Sequence, residues 1–330
     1  MDKTQNGISR RSAIAASLGL LGGAAATPSW AQAAYPSRPV RISVPFTPGG
    51  AADIVARTVG QKLSEVWGQA AIVENRPGAA GAIAVDYVVR SAPDGYNLLV
   101  ADFGQLCINP GLNPKLTYQP LRDLQPITPV AAVPLFFAVN PALPITSVQT
   151  FIDYARKNPG FAYGTVGVGT SHHLSMELLR ARTGLNLNHI PYKGGAQSIP
   201  AAIAGDIGLV ISALGALLPH VKSGKLRLIG VTTLNRSPLA SDVAPVSEVL
   251  PGYNVSDMVG FLAPAQTPPA IVQSLNQAIV QIGQAPDFVK RLADLGLEAR
   301  VSSAAQYTDL IRSTTQVFGK VIKDVGITAE

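Results

Sequence analysis

The sequence predicts an α/β protein of two lobes, each a mainly parallel sheet flanked by helices, hinged by two crossings. Strand-like and helix-like runs alternate from residue 40 onward, the rhythm of βαβ units with helices on both faces of a sheet. The rhythm breaks at 109–144, where prolines crowd around two apolar runs, and then restarts on the same plan. Two long helical patterns close the chain, each too apolar on one side to stand alone.

The elements follow in order. Ser9-Arg10-Arg11 precedes a modestly apolar run at 13–26, and Ala31-Gln32-Ala33 offers a small-x-small cleavage site. Residues 1–33 therefore read as an export signal, of twin-arginine or general secretory type. Its removal leaves roughly 300 residues, enough for about two domains. Strands are expected at 40–46, 71–74 and 97–101, with helices at 51–67 and 81–91 between them. In the first helix Ile54, Val55, Thr58, Val59, Lys62, Leu63, Val66 and Trp67 hold one side at i, i+3, i+4 spacing, and that side is expected to pack on the sheet. The apolar runs 127–133 and 135–139 lie in the proline-rich stretch and suit a crossing between lobes.

Beyond the crossing, helices are expected at 148–157, 173–183 and near 198–204. Strands are expected at 162–165, 188–190, 208–212 and 227–232. Residues 259–264 resemble a return crossing, and the helical patterns at 268–295 and 304–325 are expected to pack back onto the first lobe. Lobe 1 is thus 34–137 with 262–330, and lobe 2 is 138–261. Two crossings imply a hinge with a cleft between the lobes.

Composition narrows the function. The net charge of +6 over 330 residues is mild, and the Lys and Arg residues are scattered without aromatic interleaving, which excludes a nucleic-acid binder. Small anions fit better. Cys107 is the single cysteine, which rules out an intrachain disulfide and a cysteine metal cluster. It is expected to be a small buried hydrophobe.

Three strand-to-helix turns carry the binding chemistry. Thr47-Pro48-Gly49-Gly50 follows the first strand. Ligands of parallel α/β sheets bind beyond the carboxyl ends of strands, where a helix start presents unsatisfied N–H groups and the positive end of a dipole. Gly49 and Gly50 remove side chains that would hold a ligand away, and Thr47 adds a hydroxyl. Without a lysine the seat suits a carboxylate better than a polyphosphate. The same glycines also serve a tight turn with no ligand at all. Asp53, in the first helical turn, either caps the helix or meets an ammonium or hydroxyl on the ligand.

Gly164 to His172 repeats the pattern, with Gly164, Gly167 and Gly169 wrongly spaced for a dinucleotide fingerprint and Thr170 and Ser171 as donors. Pro191-Tyr192-Lys193-Gly194-Gly195-Ala196 is the third turn. There Tyr192 can wall the cleft, and Lys193 either offsets a carboxylate or is solvated.

Catalytic signals are thin. His172-His173 with Glu177 lacks the H-E-x-x-H order, His189 and His220 are isolated, and no G-x-S-x-G elbow surrounds Ser171. His173 is expected to satisfy a loop carbonyl or to cap its own helix. No catalytic residue, metal or cofactor is expected. A secreted hydrolase using Ser171 and a ligand sensor for a membrane receptor are the alternatives to a binding protein.

The ordered motifs Pro45-Phe46 with Gly49-Gly50 and Asp53, then Glu74-Asn75-Arg76-Pro77-Gly78-Ala79, Pro93-Asp94-Gly95-Tyr96, Gly169-Thr170-Ser171 with His173-Leu174, and Pro191-Tyr192-Lys193-Gly194 resemble the Bug family. These are the extracytoplasmic solute-binding proteins of tripartite tricarboxylate transporters. The resemblance implies a two-lobed periplasmic binding-protein fold of the second type, closing on a small carboxylate: a dicarboxylate, tricarboxylate, amino acid or aromatic acid. It implies a monomer without nucleic acid, located in the periplasm, whose partner is the membrane permease. It also implies ligand contacts from Phe46, Thr47, Gly49, Gly50 and Asp53, from Val168, Gly169, Thr170, Ser171 and His172, and from Lys193, Gly194, Gly195 and Ala196. Two departures stand out: glycine at 208, where members carry an aspartate, and Met258 in a region where a tryptophan is frequent.

Overall fold

The structure, a computed structural model, describes residues 35–327. The export signal expected at 1–33 lies outside the described residues. From Arg38 the chain forms one compact unit that contains two sheets.

The first parallel strand, β1 (Val40–Val44), leads into α1 (Ala51–Trp67), which begins at Gly50 and ends at Gly68 in the left-handed conformation. Its buried stripe is Ala52, Val55, Ala56, Val59, Gly60 and Leu63, while Val66 is 65 % exposed. The packed side is therefore rotated from the expected one. Small residues decide it, because Gly60 lets the helix approach β1 until a Cβ there would lie 3.4 Å from Ile42.

After α1 come β2 (Ala71–Asn75), α2 (Ala82–Val89), β3 (Asn97–Ala101), a buried π-turn at Gly104–Ile108, and β4 (Leu124–Val133). The second sheet follows with β5 (Leu135–Val139), α3 (Val148–Lys157), β6 (Phe161–Thr165), α4 (Ser171–Thr183), β7 (Leu187–Pro191), α5 (Gly195–Ala204), β8 (Leu209–Ala213), α6 (Leu214–Lys222) and β9 (Arg227–Val231). The chain returns with β10 (Asp257–Pro264), α7 (Pro269–Gln284), α8 (Pro286–Asp294), β11 (Glu298–Ala299) and α9 (Ala304–Val325). As expected, α7 and α9 pack on lobe 1, with α7 along β4 and α9 along β4 and the π-turn.

The sheet orders are β11-β4-β10-β3-β1-β2 and β7-β6-β8-β5-β9. Set aside β11, and each lobe repeats one order, in which the strand arriving from the other lobe lies between the third and fourth strands. β1 pairs in parallel with β2 and β3, and β6 with β7 and β8. The arriving strands β10 and β5 run antiparallel to both neighbours. Apart from β11, four of the five strands in each sheet run the same way, so each sheet is mainly parallel, as expected, with one antiparallel strand inserted. A strand that enters from the other lobe starts at the face where the parallel strands finish, so it must run against them. Accordingly Leu135 sits opposite Ala213, and Asp257 opposite Val133.

The crossings also fall elsewhere than at 137–138 and 261–262. The first is Pro134, between β4 and β5, and all of β10 belongs to the sheet of lobe 1. The runs 127–133 and 135–139 are not linkers but core strands. Their unbroken apolar character reflects burial on both faces. The prolines within β4 have a cost, since Pro129 and Pro126 pair with Gly260 and Leu262 where the register of β10 shifts. Glycine at 208 has a packing reason: a Cβ there would lie 2.1 Å from the Phe161 ring.

Candidate functional site

Because β5 and β10 start at the interlobe face, the carboxyl ends of β1, β3, β6, β7 and β8 lie there too. The loops after those strands form a continuous rim. A Cβ on Gly81 would lie 2.9 Å from Pro45, at the root of the first loop, and 2.8 Å from Gln105. A Cβ on Gly104 would lie 3.9 Å from the Gly169 carbonyl, and one on Gly169 would lie 3.2 Å from Asn109 Oδ1. The second loop thus abuts lobe 1. It joins the third through the Tyr192 N–H, which donates to the Thr165 carbonyl at 3.0 Å.

In the first loop Phe46 is half-buried, while Thr47, Gly49 and Gly50 are exposed. Asp53 is 3 % exposed and engaged within the protein. It accepts from the Gly49 N–H at 3.0 Å, from Arg57 Nε at 3.0 Å and from Asn75 Nδ2 at 2.9 Å, and Asn75 also donates to the Phe46 carbonyl. Asp53 thus holds the Gly49 amide just ahead of the helix start, so that amide is committed within the loop. The N–H groups of Gly50, Ala51 and Ala52 have no hydrogen-bond partner among the described residues.

Burial raises the Asp53 carboxyl, but the hydrogen bonds from Arg57, Gly49 and Asn75 outweigh it and hold it below its ordinary value. Its stabilisation is therefore complete above the unfolded value of about 3.9 and is lost as pH falls through the lower folded one. Asp53→Asn is expected to cost about 1–2 kcal/mol at neutral pH, a gap that narrows on acidification. Thermal melts of both proteins at pH 7 and pH 3 check this.

In the second loop Thr170 caps α4, since its hydroxyl accepts from the His173 N–H at 3.3 Å and donates to the Gly167 carbonyl at 2.8 Å. The helix therefore starts at Ser171, ahead of the expected 173. The Thr170 hydroxyl is thus spent, and the Gly169 N–H points at His173 Nδ1 at 3.5 Å. His173 stacks on His189 at 4.3 Å, and His189 on Tyr163 at 5.0 Å. Tyr163 donates to Glu177 at 2.9 Å, and His189 Nε2 lies 2.7 Å from Thr165 Oγ1. This stack anchors the base of the loop. Burial pushes His189 down to about 4 and lowers His173 as well, so both rings are neutral at physiological pH. His173 thus serves the loop as an acceptor, in place of the expected donor or cap. The N–H groups of Val168, Thr170, Ser171 and His172 remain uncommitted among the described residues.

In the third loop the Lys193 N–H donates to Gln197 at 3.2 Å, and the Lys193 side chain is exposed. Gly194 (φ 139°) starts α5, and the N–H groups of Gly194, Gly195 and Ala196 have no partner among the described residues.

The structure adds rim residues that the sequence reading passed over. Gly78, Ala79, Ala80 and Gly81 have φ of 128°, 48°, 51° and 92°, and two consecutive alanines in that region are strained. Asn109 Nδ2 pins the turn by donating to the Ala80 carbonyl at 2.9 Å. Asp102 directly follows β3 and Asp257 begins β10. The rule that ligands sit beyond strand ends, applied to β3 as well as β1, points to Asp102 from sequence alone. Ser171 is buried, with its side chain toward Asp257, and among the described residues no histidine hydrogen-bonds its Oγ as a base would. Concave spaces of about 450 and 360 Å³ lie away from all these loops, the larger beside β9 at Arg227 and Asp242. What distinguishes the rim is open donors at three helix starts.

The model of the tripartite tricarboxylate transporter family receptor matches residues 55–327. The chain belongs to this receptor family. BugT of Bordetella pertussis is 33 % identical over 295 residues, covering 88 % of this chain and 90 % of BugT. The structure of Rpa4515 from R. palustris with adipate has a TM-score of 0.84 at 33 % identity, covering 89 % of this chain and 99 % of that one. The structure of the periplasmic binding protein BugD has a TM-score of 0.80 at 28 % identity, covering 90 % and 100 %. The fold is thus the two-lobed periplasmic binding-protein fold. As a receptor of this family the chain is a solute-binding protein, the role expected over a hydrolase. No described helix is long and apolar enough to cross a membrane.

Proposed function

We propose that the protein acts in the periplasm as a monomer, captures a small carboxylate between its lobes and delivers it to the membrane permease of a tripartite tricarboxylate transporter. The observation that carries the reading is the set of uncommitted N–H groups at Gly50–Ala52, at Val168 and Thr170–His172, and at Gly194–Ala196. They stand at the starts of three helices on the interlobe face, where amides and helix dipole together favour an anion. Phe46 and Thr47 flank the first set, and Lys193 adds a cation beside the third. Adipate in Rpa4515 makes linear dicarboxylates the first class to test.

Thermal-shift and calorimetric screening of mono-, di- and tricarboxylates against the purified protein tests the reading. A true ligand at one hundred times its Kd adds about 2.7 kcal/mol of stability. No stabilisation and no heat across a chemically broad panel would overturn it.

A further inference from the structure

The larger concave space, about 450 Å³, lies within lobe 2, beside β9 and away from every ligand loop. β9 is the last strand of its sheet. Beyond it the chain covers only the carboxyl end, where Val231 bridges in parallel to Pro245 and its N–H donates to the Ala244 carbonyl at 3.0 Å. No further bridge joins the two segments among the described residues, and the space opens between 226–229 on one side and 242–244 on the other. Leu226, Ile229 and Val243 are buried and give it an apolar floor. An uncovered strand edge above such a floor is a template for one more strand.

The charges along that edge are unmatched. Arg227 lines the groove half-buried, and its guanidinium donates to the Ile145 carbonyl at 3.1 Å. Lys222, at the end of α6, and Lys225, in the turn that leads to β9, are exposed beside it. None of the three has an ion-pair partner among the described residues, and neither does Asp242, the one acid in the lining. Three cations against one acid favour an acidic occupant. Two copies of this chain meeting edge to edge would set those cations against themselves. The first 33 residues of its own sequence carry Lys3, Arg10 and Arg11 against Asp2, the wrong sign as well. A membrane transporter has the right one, because Lys and Arg concentrate in its cytoplasmic loops and are scarce in those on the outer face.

We propose that this groove docks an extended, acidic loop of the membrane permease, which adds a strand to the free edge of β9 and sets a carboxylate against Arg227, Lys222 and Lys225. The proposal rests on the permease reading and gives it a surface. Because the groove lies within one lobe, the contact leaves the cleft free to open and close.

Crosslinking in the native host tests it. Formaldehyde captures a permease through whichever surface it touches, whereas a benzophenone side chain at Ser241, exposed beside Asp242, captures it only at the groove. Products are identified by mass spectrometry. The expected product from position 241 is a multi-span permease. Joint Lys222→Glu and Lys225→Glu replacement, at exposed side chains without ion pairs, is expected to cut its yield at least tenfold with an unchanged melting curve. Capture of a permease by formaldehyde but not from position 241 overturns the groove and leaves the permease reading standing. So does a product at 241 with lipid, with a second copy or with any other protein, or a yield that the charge reversal does not move. No permease by either route overturns both.

Discussion

Gly50→Val is expected to lower affinity for the carboxylate ligand at least about 100-fold, equivalent to about 2.7 kcal/mol, while the melting temperature of the ligand-free protein moves little. Gly50 has φ −79° and ψ 169°, which any L residue adopts, and a Cβ there meets nothing within 4 Å. The fold therefore accepts the valine. The ligand does not, because the branched side chain fills the approach to the Ala51 and Ala52 amides. Gly49 is the poorer choice for this test, since its φ of 94° strains any replacement whatever the space. Titration calorimetry alongside a melt separates the two effects, and unchanged affinity would remove the first helix start from the site.

Gly215→Ala is the second large effect. Gly215, at the start of α6 in lobe 2, meets Leu295 and Gly296 of lobe 1 backbone to backbone. A Cβ on Gly215 would lie 2.1 Å from the Leu295 carbonyl oxygen and 2.8 Å from its carbon. Neither atom is the end of a flexible side chain, so the lobes themselves must move apart. The neighbouring bond between Ser237 Oγ and Glu298, 2.8 Å long, crosses the same junction and would be stretched. Overpacking of this kind costs about 1–3 kcal/mol or more. The expected result is a melting temperature lower by several degrees, together with weaker ligand binding. Small-angle scattering should show a larger radius of gyration for the variant than for the parent in the presence of ligand. An unchanged melt and radius would mean that this junction does not hold the lobes together.

The sequence disclosed the elements whose cause is local. Helix α3 was readable to the residue because Ser147 and Thr150 form a reciprocal cap, a signal confined to neighbouring positions. The turns at Gly49, Gly169 and Gly194 were visible because the positive φ there, 94°, 75° and 139°, asks for glycine. What stayed hidden has its cause at a distance. The two core strands flanking Pro134 looked like linkers, because double-sided burial erases the alternation by which strands are recognised. In α1 the periodicity named a side containing Val66, whereas the sheet selected the side of Ala52, Ala56 and Gly60, for which close approach counts more than hydrophobicity.

The candidate site divided along the same line. The bond from the Gly49 amide to Asp53 spans four residues, and a local partner for Asp53 at the helix start was foreseen. The diversion of the Gly169 amide to His173, and of the Lys193 amide to Gln197, depends on how side chains settle in the folded loops. The meeting of Asp102 with Asp257 joins positions separated by the whole of lobe 2, and no spacing rule announces it.

The threading of the sheets has a consequence for how the polypeptide is made. Lobe 2 takes all five of its strands from one continuous stretch, β5 to β9, whereas the sheet of lobe 1 has a gap between β3 and β4 until residues 257–264 arrive. As the nascent chain leaves the ribosome, the half that begins first is the half that finishes last. Its early strands must wait, incompletely paired, while the later half matures beside them.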